Sequence, residues 1–196
     1  SIKFLNNFLG NTPKDFNIEK INLKSKNDFS FELSKKFKIN NFILKSEIDL
    51  KELIYKNNLL DIKDYLPNFI DTIELKENKI LINYKKDKFD IYGKGKIVLE
   101  DKIEFLEYQL IRKNNNYNFD TTIDINKNSL LFKVLDYKKS KDLNSTLNVR
   151  GTYKHNNEIY FNSISFKEND NKFLLKNLYL DNKFKILDID LIELDY

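Results

Sequence analysis

The chain has one histidine, His155, in the turn KHNN, and a lone histidine can serve a catalytic triad or a zinc site only with partners. With no cysteine and no second histidine, those partner sets do not form, and His155 reads as a solvated turn residue. Carboxylates come next: Asp120 with Asp124, and Asp188 with Asp190, are spaced to pair as acid and base across a cleft or to ligate calcium. Any half-buried strand also alternates acids with apolar neighbours on its wet face, and all four read that way. Gly93 and Gly95 lie in KFDIYGKGKIVLE. A phosphate-cradling loop needs GxxxxGK[ST] between a buried strand and a helix; GKGKIVLE has neither that spacing nor a helix, so the pair reads as a sheet feature that opens a gap or permits a bend. The sequon Asn144-Ser145-Thr146 bears only on a eukaryotic secreted chain. The residues thus point away from an enzyme, with no cofactor and no metal expected.

Composition narrows the partners. A net charge of +4 is the small difference between 34 basic and 30 acidic side chains spread evenly along the chain, so no basic patch for nucleic acid forms. Only Arg112 and Arg150 offer the bidentate fork that suits phosphate or guanine. At 41% hydrophobic and 33% charged, the 196 residues are enough to fold and to bury a core. No run approaches about 20 apolar residues, the length of a membrane-spanning helix. The opening SIKFLNNFLG carries neither a starting methionine nor a signal peptide, so residues 1–196 are expected to form a single segment of a longer protein, with any membrane anchor outside it.

The elements that must position these residues are strands. From residue 69 to 196, ten extended runs alternate with short turns rich in Asn and Asp, among them KEN, KKD, ED, KNNN, NKN, KHNN, ND and DN. That rhythm predicts an antiparallel meander. Within the runs the period is two: Phe89, Ile91, Ile97 and Leu99 share a face, as do Tyr117, Phe119, Ile123 and Ile125, and Leu143, Leu147 and Val149. Three runs change parity midway, from Ile103 and Phe105 to Leu106, Tyr108 and Leu110; from Ile159 and Phe161 to Ile164 and Phe166; and from Phe184 and Ile186 to Leu187, Ile189 and Leu191. Either bulges return the apolar set to one face or these strands are buried on both. Residues 17–50 read as about three short strands. The spacing of Leu50, Leu53 and Ile54, and of Ile62, Tyr65 and Leu66, predicts one or two short helices over 49–67, capped by Asp61 and ended by Pro67.

The fold class is therefore mainly β, a long antiparallel meander, strongly twisted and curved into an open groove or half-barrel. A sheet of about ten strands is roughly 45 to 50 Å across, and so few helices leave its apolar face in surplus. A lipid acyl chain could fill it without directional contacts, at about 0.8 kcal/mol per buried methylene.

The succession EIYFNSISFKENDNKFLLKNLYLDNKFKILDIDLIELDY, preceded by DIYGKGKIVLE and LNVRGTYK, with DIKDYLPN ahead of the meander, resembles the AsmA-like/YhdP/TamB superfamily of bacterial envelope proteins over about residues 40–196. The resemblance implies a periplasmic, non-enzymatic β-groove that moves phospholipid between the inner and outer membranes of a Gram-negative bacterium, tethered to the inner membrane by a part of the parent chain not present here. The expected groove residues are Phe89, Ile91, Ile97, Leu99, Phe119, Ile123, Leu147, Val149, Phe161 and Phe173. Phospholipid acyl chains and the remainder of a parent sheet would be its partners. The competing expectation is a structural or adhesive envelope β-domain whose apolar face packs only on itself and stays dry.

Overall fold

A computed structural model describes residues 17–56, 72–86, 88–113, 116–132, 137–154, 158–181 and 185–195. Ten strands form one antiparallel sheet: β1 (Asn17–Leu33), β2 (Ile39–Lys56), β3 (Thr72–Lys85), β4 (Lys88–Leu99), β5 (Lys102–Lys113), β6 (Asn116–Asp124), β9 (Ser145–Tyr153), β10 (Ile159–Glu168), β11 (Asn171–Leu180) and β12 (Ile186–Asp195). They pair in chain order, and β1 and β12 form its two edges, so the meander is open and not a barrel. Between β6 and β9 the chain leaves the sheet for a small hairpin, β7 (Leu130–Phe132) with β8 (Tyr137–Lys139). Tight turns with positive φ behave as the acidic and amide residues predict. Glu100 and Asp101 have φ of 46° and 67°, the type I′ pattern that matches strand twist.

Several expectations are corrected. No helix occurs among the described residues. Residues 49–56 continue β2, and 57–67 lie outside the described residues. The helical spacing of Leu50 and Leu53 has another cause: the β1–β2 register shifts between Asn22 and Leu23, and the extra residue on β2 moves the apolar parity from even to odd positions. The supposed KEN turn is also a bulge. Chain 72–85 runs on as a single strand, with Glu77 at φ 51° and the β3–β4 register shifting between Lys76 and Lys79. Two long strands, not three short ones, precede β3. The run SLLFKVLDYK is no member of the meander but contributes to the hairpin.

Of the three parity changes, two are bulges. On β10 the register against β9 shifts between Phe161 and Ser163, and the β11–β12 register shifts between Tyr179 and Leu180, beside Leu187. The second bulge keeps Ile186 and Ile189 on one face but leaves Leu191 on the wet side opposite Lys176, with Ile192 in its place, and Phe184 lies outside the described residues. The first is neither a bulge nor two-sided burial, because β5 keeps an unbroken register with β4 and β6. Ile103 and Phe105 simply point to the opposite face, 43% and 42% exposed, while Glu104 is buried on the apolar side.

Gly93 and Gly95 now have separate reasons. A Cβ on Gly93 would lie 2.3 Å from Cζ of Tyr108, its cross-strand partner on β5, whose ring lies over the bare backbone. Gly151 makes room both for the Phe119 ring across β6–β9 and for the backbone oxygen of Tyr160, each 2.5 Å from where a Cβ would lie. At Gly95 the obstacle is backbone: a Cβ would sit 2.6 Å from Asn78 Cα and from Glu77 O. The bulge folds Asn78 over this glycine, and its Nδ2 donates to the carbonyls of Lys76 and Lys96 at 2.9 Å each. Gly95→Ala must therefore push a bulge apart, whereas Gly93→Ala can be met by a ring swinging away. In urea denaturation, Gly95→Ala is expected to lose about 3 kcal/mol and Gly93→Ala about 1 kcal/mol. The reverse order would contradict this packing.

Candidate functional site

Cross-strand pairs fix which side chains share a face, and the pairs can be followed across all ten strands. One row passes through Phe29, Leu44, Tyr84, Phe89, Arg112, Tyr117, Tyr153, Ile159, Leu180 and Ile186. The next holds Asn27, Ser46, Ile82, Ile91, Leu110, Phe119, Gly151, Phe161, Leu178 and Ile189. A third holds Ser25, Ile48, Ile80, Gly93, Tyr108, Thr121, Val149, Ile164, Leu175 and Ile192. In a chain that is 33% charged, these three rows carry one charged side chain, Arg112. With strands about 4.8 Å apart, each row spans roughly 43 Å.

All ten residues singled out in the sequence fall on this face, but they divide into two groups. Ile97 and Leu99 are buried in a core with Leu106, Ile125, Leu130 and Phe166; Ile123, Leu147 and Phe173 pack against it. The hairpin makes this core by lying on the face, with Leu130 4% exposed and Tyr137 meeting the Phe166 ring edge-on at 6.0 Å. Phe89, Ile91, Phe119, Val149 and Phe161 lie beyond it and stay half-buried. Aromatic side chains dominate that open part: Phe42–Tyr84 at 5.9 Å, Tyr84–Phe89 at 6.4 Å, Tyr117–Tyr153 at 6.4 Å and Phe119–Phe161 at 5.8 Å. Sequence reasoning missed Tyr84, Leu110 and Arg112 as members, while the alternation in NYNFDTTIDI had set Tyr117 on the face of Phe119 and Ile123. Strand alternation would have found them once the register was known.

The hairpin is fastened by polar groups that the sequence did not advertise. Lys139, fully buried, donates from Nζ to the carbonyl oxygens of Asn128 at 2.7 Å, Ser140 at 2.8 Å and Asn126 at 3.2 Å. Burial lowers its pKa, while the carboxylates of Glu104 and Asp142 pull in the other direction. Glu104 accepts from the Lys127 backbone N–H at 2.6 Å and from Asn128 Nδ2 at 2.9 Å. The Tyr137 hydroxyl donates to Glu168, whose pKa is raised by burial. Ser145 closes the return to the sheet, its Oγ donating to Ile125 O at 2.6 Å and its N–H to Asn126 Oδ1 at 2.8 Å.

The opposite face is wet. Lys20–Glu52 at 2.6 Å, Lys96–Glu77 at 2.5 Å and Arg150–Asp120 at 2.8 Å are exposed pairs of small energetic weight. Asp124 accepts from Thr146, and Asp190 from Asn177. The alternating aspartates are thus engaged along the sheet surface, and no cluster of three or more metal-ligating groups occurs among the described residues. His155 lies outside the described residues. No protein-family model, curated protein or solved structure matches the chain.

Two outcomes test the fastening. Lys139→Met strands three carbonyls under the hairpin and is expected to destabilise the fold by on the order of 3 kcal/mol in urea titration. A loss within error would mean that the lysine is not holding the loop. Glu168 has a folded pKa above its ordinary value near 4.5, so the folded state binds the extra proton and stability falls as pH rises through that window. Glu168→Gln keeps an acceptor without the charge. Its urea midpoint should exceed the parent's at pH 7 to 8, and the gap should close toward pH 4.5; a gap independent of pH would overturn the assignment.

Proposed function

We propose that this protein is a non-enzymatic, AsmA-like β-sheet whose uncovered apolar face carries phospholipid acyl chains through the periplasm between the inner and outer membranes. The observation that carries the reading is the face itself: three rows across ten strands, one charge among them, left largely half-buried by the described residues where the hairpin ends. Burying such a surface against acyl methylenes contributes about 25 cal/mol per Å² and asks for no fixed partner geometry. The rows run across the strands, so a chain of methylenes lying along them meets a continuous apolar track from β2 to β11. Arg112 stands in the outermost row between Phe89 and Tyr117, where its guanidinium fork suits the phosphate of a headgroup whose tails lie on the inner rows. The resemblance in the strands around residues 88–100 and 143–196 supports the same assignment.

A second reading has its own support. The β7–β8 hairpin already covers one end of the face with a dry core, as a structural or adhesive envelope domain would require.

The two readings part in native mass spectrometry of detergent-free protein, followed by solvent extraction and lipid analysis. The lipid reading expects one or a few phospholipids per chain, reduced at least tenfold in Leu110→Asp, which places a charge on the uncovered face, and unchanged in Asp124→Asn on the wet face. Ile123 is unsuitable for this test because it packs beneath the hairpin. A lipid-free, stable and monodisperse parent protein would favour the scaffold.

A further inference from the structure

Among the described residues, nothing pairs with the outer side of β1 or of β12. Both edges are long enough to pair. β1 runs for 17 residues and β12 for 10, and neither contains proline; β1 is polar on both sides over residues 24–28, and β12 turns Leu191 to the wet side opposite Lys176. On the apolar face, β12 exposes Ile186, Ile192 and Leu194 at 64%, 52% and 43%, and β1 exposes Phe29 and Phe31 at 65% and 43%.

The wet sides of the two edges differ in charge. β12 holds Asp188, Asp190, Glu193 and Asp195 and no base. Its inner neighbour does little to balance them: Asp188 faces Tyr179, Glu193 faces Leu174, and Asp195 alone faces a lysine, Lys172. β1 places Lys20, Lys24 and Lys26 on the same wet side of the sheet, across from Ile54, Asp49 and Glu47. Lys20 is already paired with Glu52 at 2.6 Å, and Asp28 and Glu32 follow on that side, so the base-bearing part of this edge is residues 20–26. An acidic edge thus closes one end of the sheet and a lysine-bearing edge opens the other.

Topology supplies the geometry. Ten strands alternating in direction make β12 antiparallel to β1, so a copy displaced along the sheet presents its β1 antiparallel to the first copy's β12, with apolar face continuing apolar face. We propose that two copies of this chain join head to tail, the acidic edge strand β12 of one adding to the lysine-bearing edge strand β1 of the next. Such a heterologous contact leaves one edge of each kind unused, so it propagates instead of stopping at a dimer. A strand from elsewhere in a longer parent chain is the competing occupant. The second copy is favoured because the two edges complement each other in direction, face and charge. This inference rests on the edges alone and does not require the apolar face to hold lipid.

Charge reversal tests it. Lys24→Glu with Lys26→Glu makes both edges acidic, whereas Asp188→Lys, Asp190→Lys and Glu193→Lys together leave Asp195 as the one acid on β12 and make both basic. In sedimentation velocity at low salt, the parent should form a concentration-dependent ladder of dimers, trimers and longer species that shrinks in 0.5 M salt, where the Debye length falls to about 4 Å from about 30 Å in 0.01 M buffer. Each reversed protein alone should remain monomeric, and an equimolar mixture of the two should recover the ladder, which also shows that both are folded. A parent that is monomeric at every concentration, or that stops at a dimer, overturns the proposal, as does a mixture that stays monomeric while circular dichroism reports native sheet in both variants. As a second readout on the unmodified chain, amide exchange in β1 and β12 should slow together as concentration rises; slowing in one edge only would contradict head-to-tail pairing.

Discussion

An open antiparallel sheet that gathers its apolar side chains on one face must cover that face or leave it for something else to cover. Among the described residues, one excursion between β6 and β9, carrying the β7–β8 hairpin, serves the task, and it reaches the rows around Leu106, Ile123, Leu147 and Phe166. The remaining rows stay half-buried against their own neighbours. Aromatic rings compensate in part, since large flat side chains leaning on one another shield more area than aliphatic ones at the same spacing. Among the described residues, bulges preserve the one-sidedness of the sheet and buried polar groups anchor its partial cover.

Preserving one-sidedness depends on bulges, because strands this long accumulate parity errors. At Lys51, Glu77 and Asn162 an extra residue restores the apolar set to the correct side, and Asn78 spends its buried amide on backbone carbonyls freed by the bulge. Where a bulge is missing, as in β5, the face accepts a carboxylate. Glu104 is tolerated on the apolar side because the hairpin brings the Lys127 amide and Asn128 to it, with Lys139 as a nearby countercharge. The cover is therefore fastened at the point where the sheet's pattern lapses.

This explains what could and could not be read in the sequence. Period-two alternation in KFDIYGKGKIVLE, NYNFDTTIDI and LNSTLNVRGTYK is local, and it placed Phe89, Ile91, Phe119, Ile123, Leu147 and Val149 on one face without knowledge of their neighbours. Bulges mimic other signals: a parity change at Leu50 and Leu53 has the three-residue spacing of a helix, and an Asn-bearing bulge at residues 76–78 has the composition of a turn. The hairpin cover was illegible for a different reason. SLLFKVLDYK has the same apolar content as a meander strand, and only contacts between residues far apart in sequence, such as Tyr137 with Phe166 and Glu168, distinguish a strand in the sheet from one lying on it. Arg112 stood out in the sequence only as one of two arginines, because its place depends on the uncharged rows around it, which appear only after ten registers are joined.

The central claim is that the uncovered rows, and not the wet face or the hairpin core, receive acyl chains. Photocrosslinking with a phospholipid bearing a diazirine near the tail end, followed by peptide mapping, tests it directly. Adducts are expected on Ile82, Tyr84, Ile91, Leu110, Phe119 and Phe161, with none on Leu81, Phe105 or Tyr179 of the opposite face. Adducts divided equally between the two faces, or confined to the exposed edge strands, would contradict it.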